Sequence, residues 1–304
     1  MNRIAILCLS AVIVTVLAFG LTPQNPAASS APPASPDAPD TNVENDVVYA
    51  TVSGTVLHLD VYQPADRGKE RQPAVVLIHG GGWSSFDKST MRGMGQFLAR
   101  AGYVAFSVDY RLFHGTENRW PAQLDDVQHA VRWIRANAAK YGVNPDHIGA
   151  LGHSAGAQLA ALLGMEDTRD NSDAALAQFS SRVQAVVDVS GPTDFTTGHD
   201  AESNSFFANF LGADFSKNPE LWQAASPVYH VAKDDAPFLI VHGTEDHDVS
   251  IAQAQELYDK LQAAGVPASL VKVEDQHTFR TPDARRRLAV ESLEFFNRYL
   301  IQGR

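Results

Sequence analysis

The chain has 304 residues, 44% of them hydrophobic, enough for one sizeable α/β core. Lys and Arg number 24 against 35 Asp and Glu, and the net charge of −11 excludes nucleic acid as a partner, because phosphate binding needs a basic face. The single cysteine, Cys8, excludes disulfides and thiolate metal sites from the folded part.

Arg3 is followed by an apolar run over 4–21, the pattern of an export leader. The run is long for a signal peptide and close to the minimum for a membrane span. Residues 1–21 are therefore expected to be either a cleaved signal peptide or a retained N-terminal anchor. Candidate cleavage points follow Gly20 and Ala28. The protein is expected to be exported, periplasmic or secreted, and to meet a membrane only if that segment is retained. Residues 22–42 are Pro, Ala, Ser and Asp-rich with no aromatic or basic side chain. Such a stretch cannot bury enough apolar surface to offset its ordering entropy, so it reads as a disordered linker. The folded domain is expected over 43–304.

Alternation over 47–52 and 55–62 around Ser53-Gly54 predicts an antiparallel hairpin. Continuous apolar runs then follow at 74–78, 104–108, 148–151, 183–189, 238–241 and 269–273, as strands buried on both faces of a parallel sheet require. Helical patterns separate most of them, at 90–101, 122–141, 157–165 and 251–264, and 282–300 closes the chain. The expected architecture is α/β: a mostly parallel, doubly wound sheet with an antiparallel N-terminal edge. The connection between 189 and 238 is longer than a βα link needs, and a small cap insertion is expected at about 195–232. It carries Phe206, Phe207, Phe210, Phe215 and Trp222, of which at least one is expected to line a pocket.

The chemistry starts at Gly152-His153-Ser154-Ala155-Gly156, a serine between two glycines where a short strand turns into a small-residue helix. G-x-S-x-G in that setting is a nucleophile elbow. A serine needs a histidine to take its proton, and the histidine needs a carboxylate behind it. His199, His230, His242, His247 and His277 follow Ser154, but only His277 follows a strand that lies beyond a carboxylate-bearing loop. That loop, 242–249, offers Asp246 and Asp248 alike, with Glu245 a weaker third. It lacks the separated second ligand group of a catalytic zinc site, and no metal is expected. His79-Gly80-Gly81-Gly82-Trp83 directly follows the 74–78 strand. Its glycines let backbone N–H groups turn towards a carbonyl oxygen, so Gly81, Gly82 and Ala155 are the expected oxyanion donors. No Lys-Ser/Thr follows, which excludes a phosphate-binding loop. His79 is expected to orient this loop, and Trp83 to wall the pocket or anchor the loop.

These pieces together resemble the α/β-hydrolase superfamily, within it the esterases related to hormone-sensitive lipase. The residues that carry the resemblance are the 79–83 and 152–156 motifs, Asp109-Tyr110-Arg111-Leu112, Trp120-Pro121-Ala122, His242-Gly243-Thr244-Glu245-Asp246 and His277. The chain looks most like bacterial carboxylesterases of the feruloyl esterase-like and acetylxylan esterase-like type, whose cap is similar to Phe210-Leu211-Gly212, 218–222 and Ala225-Ser226-Pro227. In that family the first aspartate of Asp-x-x-Val is the triad acid, which implies Asp246. His153 stands where many lipase relatives carry Asp, Ala157 replaces a further glycine, and Ser250 replaces a proline. The resemblance implies a serine carboxylesterase that needs no cofactor and acts on a small-molecule or polysaccharide-linked ester through Ser154, His277 and Asp246. Two rivals remain open at this stage: an arylformamidase-type amide hydrolase, and a catalytically silent binding module on the same fold.

Overall fold

A computed structural model describes residues 41–302, apart from 67, 69, 169–172 and 198–200. The expected leader, and the expected linker up to residue 40, lie outside the described residues. The last two linker residues are strand: β1 (Thr41–Val52) pairs antiparallel with β2 (Thr55–Pro64) from Thr41↔Pro64 onwards. Backbone pairing carries β1 through a mostly exposed stretch that side-chain alternation cannot reveal. Ser53 and Gly54 turn the hairpin with φ of 50° and 82°, the left-handed pair that a two-residue hairpin turn needs.

Six further strands complete one sheet: β3 (Gln72–Ile78), β4 (Val104–Val108), β5 (Val143–His153), β6 (Ala185–Val189), β7 (Phe238–Gly243) and β8 (Ala268–Val273). Their order is β1-β2-β4-β3-β5-β6-β7-β8. The pairs β1/β2 and β2/β4 are antiparallel and the other five parallel. Central strands bury both faces, so alternate residues feed two cores. Val76, Ile78, Val186 and Ile240 face α2 (Ala122–Ala136), α4 (Ala155–Met165) and α7 (Ile251–Ala264). Val75, Leu77, Val187 and Val241 face α1 (Arg92–Arg100) and α8 (Pro282–Phe296). The helix expected over 122–141 is interrupted at Asn137, whose backbone and side-chain N–H groups both return to the Trp133 carbonyl; α3 (Ala138–Tyr141) follows. The helix expected over 282–300 ends at Phe296 and loosens into a π turn, Asn297–Ile301.

Between β6 and β7 lie α5 (Ala201–Leu211), α6 (Pro219–Ala225) and a 3₁₀ turn, Pro227–Tyr229. Aromatic packing seats this cap: Trp83 stacks on Phe210 at 4.5 Å and meets Phe195 edge-on at 5.6 Å, while Phe195 stacks on Phe207 at 4.8 Å. Phe210 and Trp222 are therefore core, whereas Phe206 and Phe215 stay exposed. No helix among the described residues is long and apolar enough to cross a membrane.

Candidate active site

Ser154 sits where β5 ends and α4 begins, with φ +55° and ψ −122°. An L-residue is strained there, by about 1–3 kcal/mol, and close packing holds it. A Cβ on Gly152 would lie 2.0 Å from the Gly156 carbonyl oxygen, and one on Gly156 2.2 Å from that of Ile78. Side chains at either position would push the turn open. The Ser154 N–H donates to the Val189 carbonyl on β6 at 2.8 Å, tying the elbow to the sheet. Its hydroxyl makes no capping bond to α4 and is left to face the loops above.

His277 comes from the loop after β8, as a continuous chain of bonds requires. Its Nε2 lies 2.8 Å from Ser154 Oγ, and its Nδ1–H donates to Asp246 Oδ2 at 2.7 Å. Asp246 Oδ1 accepts the backbone N–H groups of Asp248 and Val249, each at 2.9 Å. Burial alone would push the Asp246 carboxyl up, but the donors on His242, His277 and Val249 outweigh it and hold the group well below the usual carboxylate range. Asp248 is exposed at the mouth of the site and lends its backbone to Asp246. Asp246, Asp248 and His277 bring three ligand-type atoms within 4.8 Å of one another. A cation there would have to break the 2.7 Å bond between Asp246 and His277.

Three residues that the spacing argument passed over hold this arrangement. His153 Nε2–H donates to the His277 carbonyl at 2.9 Å, so the residue beside Ser154 grips the histidine loop. Burial pushes its imidazole down, which keeps it neutral. Asp275 gathers the N–H groups of Gln276, Arg280 and Thr281 and the Thr281 hydroxyl, closing the loop on itself. His242 Nε2 lies 3.2 Å from Asp246 Oδ2. The signal for Asp275 is local, an aspartate followed by the Thr281 cap of α8; that for His153 exists only across strands, and that for His242 only once its own loop has folded back.

The glycine loop after β3 takes the shape that inward-facing donors need. Gly81 and Gly82 have φ of 105° and 57°. Tyr110 Oη–H reaches the carbonyls of His79 at 3.1 Å and Gly80 at 3.3 Å. His79 donates from Nδ1 to the Gly80 carbonyl at 2.8 Å and stacks on Tyr110 at 4.2 Å. Burial pushes the His79 imidazole down to about 4, so it orients the loop as a neutral ring. Trp83 anchors the loop to α4, its Nε1–H donating to Gln158 Oε1 at 3.1 Å, and it also lines the pocket. With the loop carbonyls committed elsewhere, the N–H groups of Gly81, Gly82 and Ala155 enter none of the loop or turn hydrogen bonds among the described residues.

The family model of BD-FAE matches residues 59–261, two thirds of the chain, spanning the glycine loop, the elbow and the Asp246 loop. The chain belongs to the BD-FAE family. It is 32% identical over 213 residues to the esterase LipC of Mycobacterium tuberculosis, covering 67% of this chain and 52% of that protein. It is 30% identical over 210 residues to the carboxylesterase NlhH of the same organism, covering 66% and 64%. The chain thus spans about half the length of several curated relatives it matches. A truncated carbohydrate esterase from gut microbiota superposes with a TM-score of 0.72 at 27% identity, over 87% of this chain and 98% of that one. A propionate-bound thermophilic esterase of Thermogutta terrifontis gives 0.71 at 28% identity, over 86% and 96%. The fold is that of the α/β-hydrolases.

In this BD-FAE chain two cavities meet at Ser154 and His277. The smaller, about 370 Å³, lies under the cap against Trp83, Pro192, Phe206 and Phe207. The larger, about 780 Å³, runs between α1 and α8 over Met91, Met94, Phe97, Leu151, Val189 and Leu288. Phe206 and Phe207 are the cap aromatics that reach the pocket; Phe215 and Trp222 do not line it.

Proposed function

We propose that this protein is an exported serine carboxylesterase that hydrolyses short-chain or aromatic acyl esters, among them acetyl or feruloyl groups carried on polysaccharide. The observation that carries the reading is the unbroken line Ser154 Oγ, His277 and Asp246, at 2.8 and 2.7 Å. Ser154 Oγ attacks the ester carbonyl as its proton passes to His277 Nε2, and Asp246 stabilises the imidazolium that forms. The N–H groups of Gly81, Gly82 and Ala155 take the developing oxyanion, aided by the positive end of α4; each such donor is worth roughly 10²–10³ in rate. The intermediate collapses as His277 Nε2–H protonates the leaving alkoxide. Water, deprotonated by His277, then attacks the acyl-enzyme and frees the acid, Ser154 regaining its proton. Each proton stays on side chains and water, so the route needs no cofactor.

The names of the relatives support ester hydrolysis, and the likeness to a carbohydrate esterase supports a saccharide-linked ester. The leader pattern supports export. Turnover of p-nitrophenyl acetate, butyrate and octanoate, methyl ferulate, acetylated xylan and N-formylkynurenine tests the reading. Ester turnover that drops by several orders of magnitude in both Ser154→Ala and His277→Ala is expected. Turnover of the formamide alone would replace the esterase reading with amide hydrolysis. No turnover by folded protein would remove both.

A further inference from the structure

Beneath Asp246 lies a second group of polar side chains that the mechanism above does not use. Asp188 on β6, Ser190 just past it and His242 on β7 are at most 1% exposed. Asp188 Oδ2, Ser190 Oγ and His242 Nδ1 are each buried with no hydrogen-bond partner. Leaving one such atom unsatisfied costs about 1–3 kcal/mol, so three together call for an explanation.

The topology brings them to one place. Asp188 pairs with Ile240, and His242 lies two residues further along β7, hence on the same face. Ser190 N–H donates to the Val241 carbonyl, setting Ser190 beside His242. The Asp188 carboxylate sits under the first turn of α4: a Cβ on Gly191 would meet its Oδ1 at 2.7 Å and the Ala157 Cβ at 2.8 Å. The cluster therefore underlies both the nucleophile, bonded to Val189, and the Asp246 loop.

Chemistry fixes the tautomer of His242. Its Nε2 faces two acceptors, the Val249 carbonyl at 2.9 Å and Asp246 Oδ2 at 3.2 Å, so Nε2 carries a proton. Its Nδ1 then points to the Asp188–Ser190 side. One water, with two protons to give and two lone pairs to accept, satisfies a carboxylate oxygen, a hydroxyl and a ring nitrogen at once. We propose that Asp188, Ser190 and His242 enclose one internal water and act as a positioning cluster for the acid, holding the Asp246 loop against His277 through the Nε2–H of His242, which bonds the Val249 carbonyl and lies 3.2 Å from Asp246 Oδ2. The inference rests on the esterase reading for its consequence, but not for the water site itself.

Charge follows from the same geometry. Burial pushes the Asp188 carboxyl up to about 6, against the N–H of Gly191 and the nearby His242. The titratable groups around the cluster are Asp188, His242, Asp246, His153 on β5 and His277. The covering helix α4 has no charged residue, and the buried positions of α7 are Gln253, Ala254, Leu257 and Leu261. Above about pH 6 the cluster thus adds a negative charge behind Asp246, on the side that stabilises the positive charge developed as Ser154 gives up its proton.

The rate at which a fluorophosphonate labels Ser154, followed against pH, reads this without knowledge of the natural ester. Asp188→Asn should move the acid limb to lower pH by about half a unit, and Ser190→Ala should move it the same way. His242→Ala should slow labelling at the optimum about 10- to 100-fold, with partial rescue by His242→Gln, whose amide N–H can still reach Asp246. A high-resolution crystal structure should show the water on all three side chains. Limbs that superimpose on the parent's, with only the melting temperature lowered, would leave the cluster a purely structural element and overturn the positioning role. A dry junction, with Asp188 bonded directly to His242, would overturn the water site. Parent protein that neither labels nor turns over esters would instead remove the esterase reading, while the crystal structure would still decide the water.

Discussion

Asp246 and Asp248 are two residues apart in one loop, and only their hydrogen bonds separate them. Asp246 turns one oxygen back onto the N–H groups of Asp248 and Val249, the self-folding turn that a short acidic side chain favours. That leaves its other oxygen aimed at His277 at 2.7 Å. Asp246→Asn should therefore lower kcat by about 10⁴-fold, because an amide cannot hold the imidazole in the needed tautomer. Asp248→Asn keeps the backbone N–H that Asp246 uses and should stay within roughly a few-fold of the parent. Steady-state kinetics on one p-nitrophenyl ester decide it; comparable losses in both variants would break the assignment. Composition and spacing could not rank these two aspartates, since both follow the same strand. The serine and the histidine were legible because each closes a strand that reads as a buried apolar run. His153 and His242 were not, because their partners, the His277 carbonyl and Asp246, become neighbours only once the sheet has formed or the loop has folded back.

The elements follow the same division. Strands β3, β4 and β7 coincide with apolar runs to within a few residues, since burial on both faces leaves no room for polar side chains. The run at 269–273 does form β8, but as the last strand of the sheet it is not buried on both faces, and Ser269 and Lys272 are exposed there. The start of β1 escaped because an edge strand can be polar throughout its exposed part. The cavity between α1 and α8 escaped for another reason: it is a gap between packed helices, and a pattern of apolar residues states that faces are covered but not how closely. Its walls include Met91 and Met94, flexible side chains that adapt to different occupants. If this cavity takes the apolar half of the ester, filling it should change which esters are turned over and spare the small ones. Met94→Trp is expected to lower kcat/KM for p-nitrophenyl octanoate at least about 10-fold, roughly the effect of a few methylenes excluded from a pocket, and to leave acetate within about two-fold. Equal losses on both esters would place the long chain elsewhere, the cap-side cavity against Phe206 being the alternative.

For the molecule as a whole, the groups that serve the site also shape how stability depends on pH. His79 stays neutral in the fold down to about 4, whereas the unfolded chain protonates it near 6.5. The unfolded state thus binds more protons between those values, and stability falls by about 3 kcal/mol as the pH drops through that window. Asp188 acts in the opposite sense. Its folded value, raised by burial to about 6, exceeds the ordinary 3.8, so the fold binds the extra proton and gains stability as the pH falls from about 6 to 4. The penalty from Asp188 is fully present above about pH 6 and gone below the unfolded value. Asp188→Asn keeps the shape and removes the charge. The variant should melt at a higher temperature than the parent near pH 7, by several degrees at about 2–4 °C per kcal/mol for a chain of this size. The difference should shrink as the pH falls and vanish near pH 4. Melting curves of both proteins across that range test the sign directly. A variant that melts lower than the parent near neutrality would mean that the carboxylate stabilises the fold. A higher melting temperature together with slower labelling of Ser154 would mean that the buried charge is kept for the reaction at the expense of stability, the trade that strained and charged active sites commonly make.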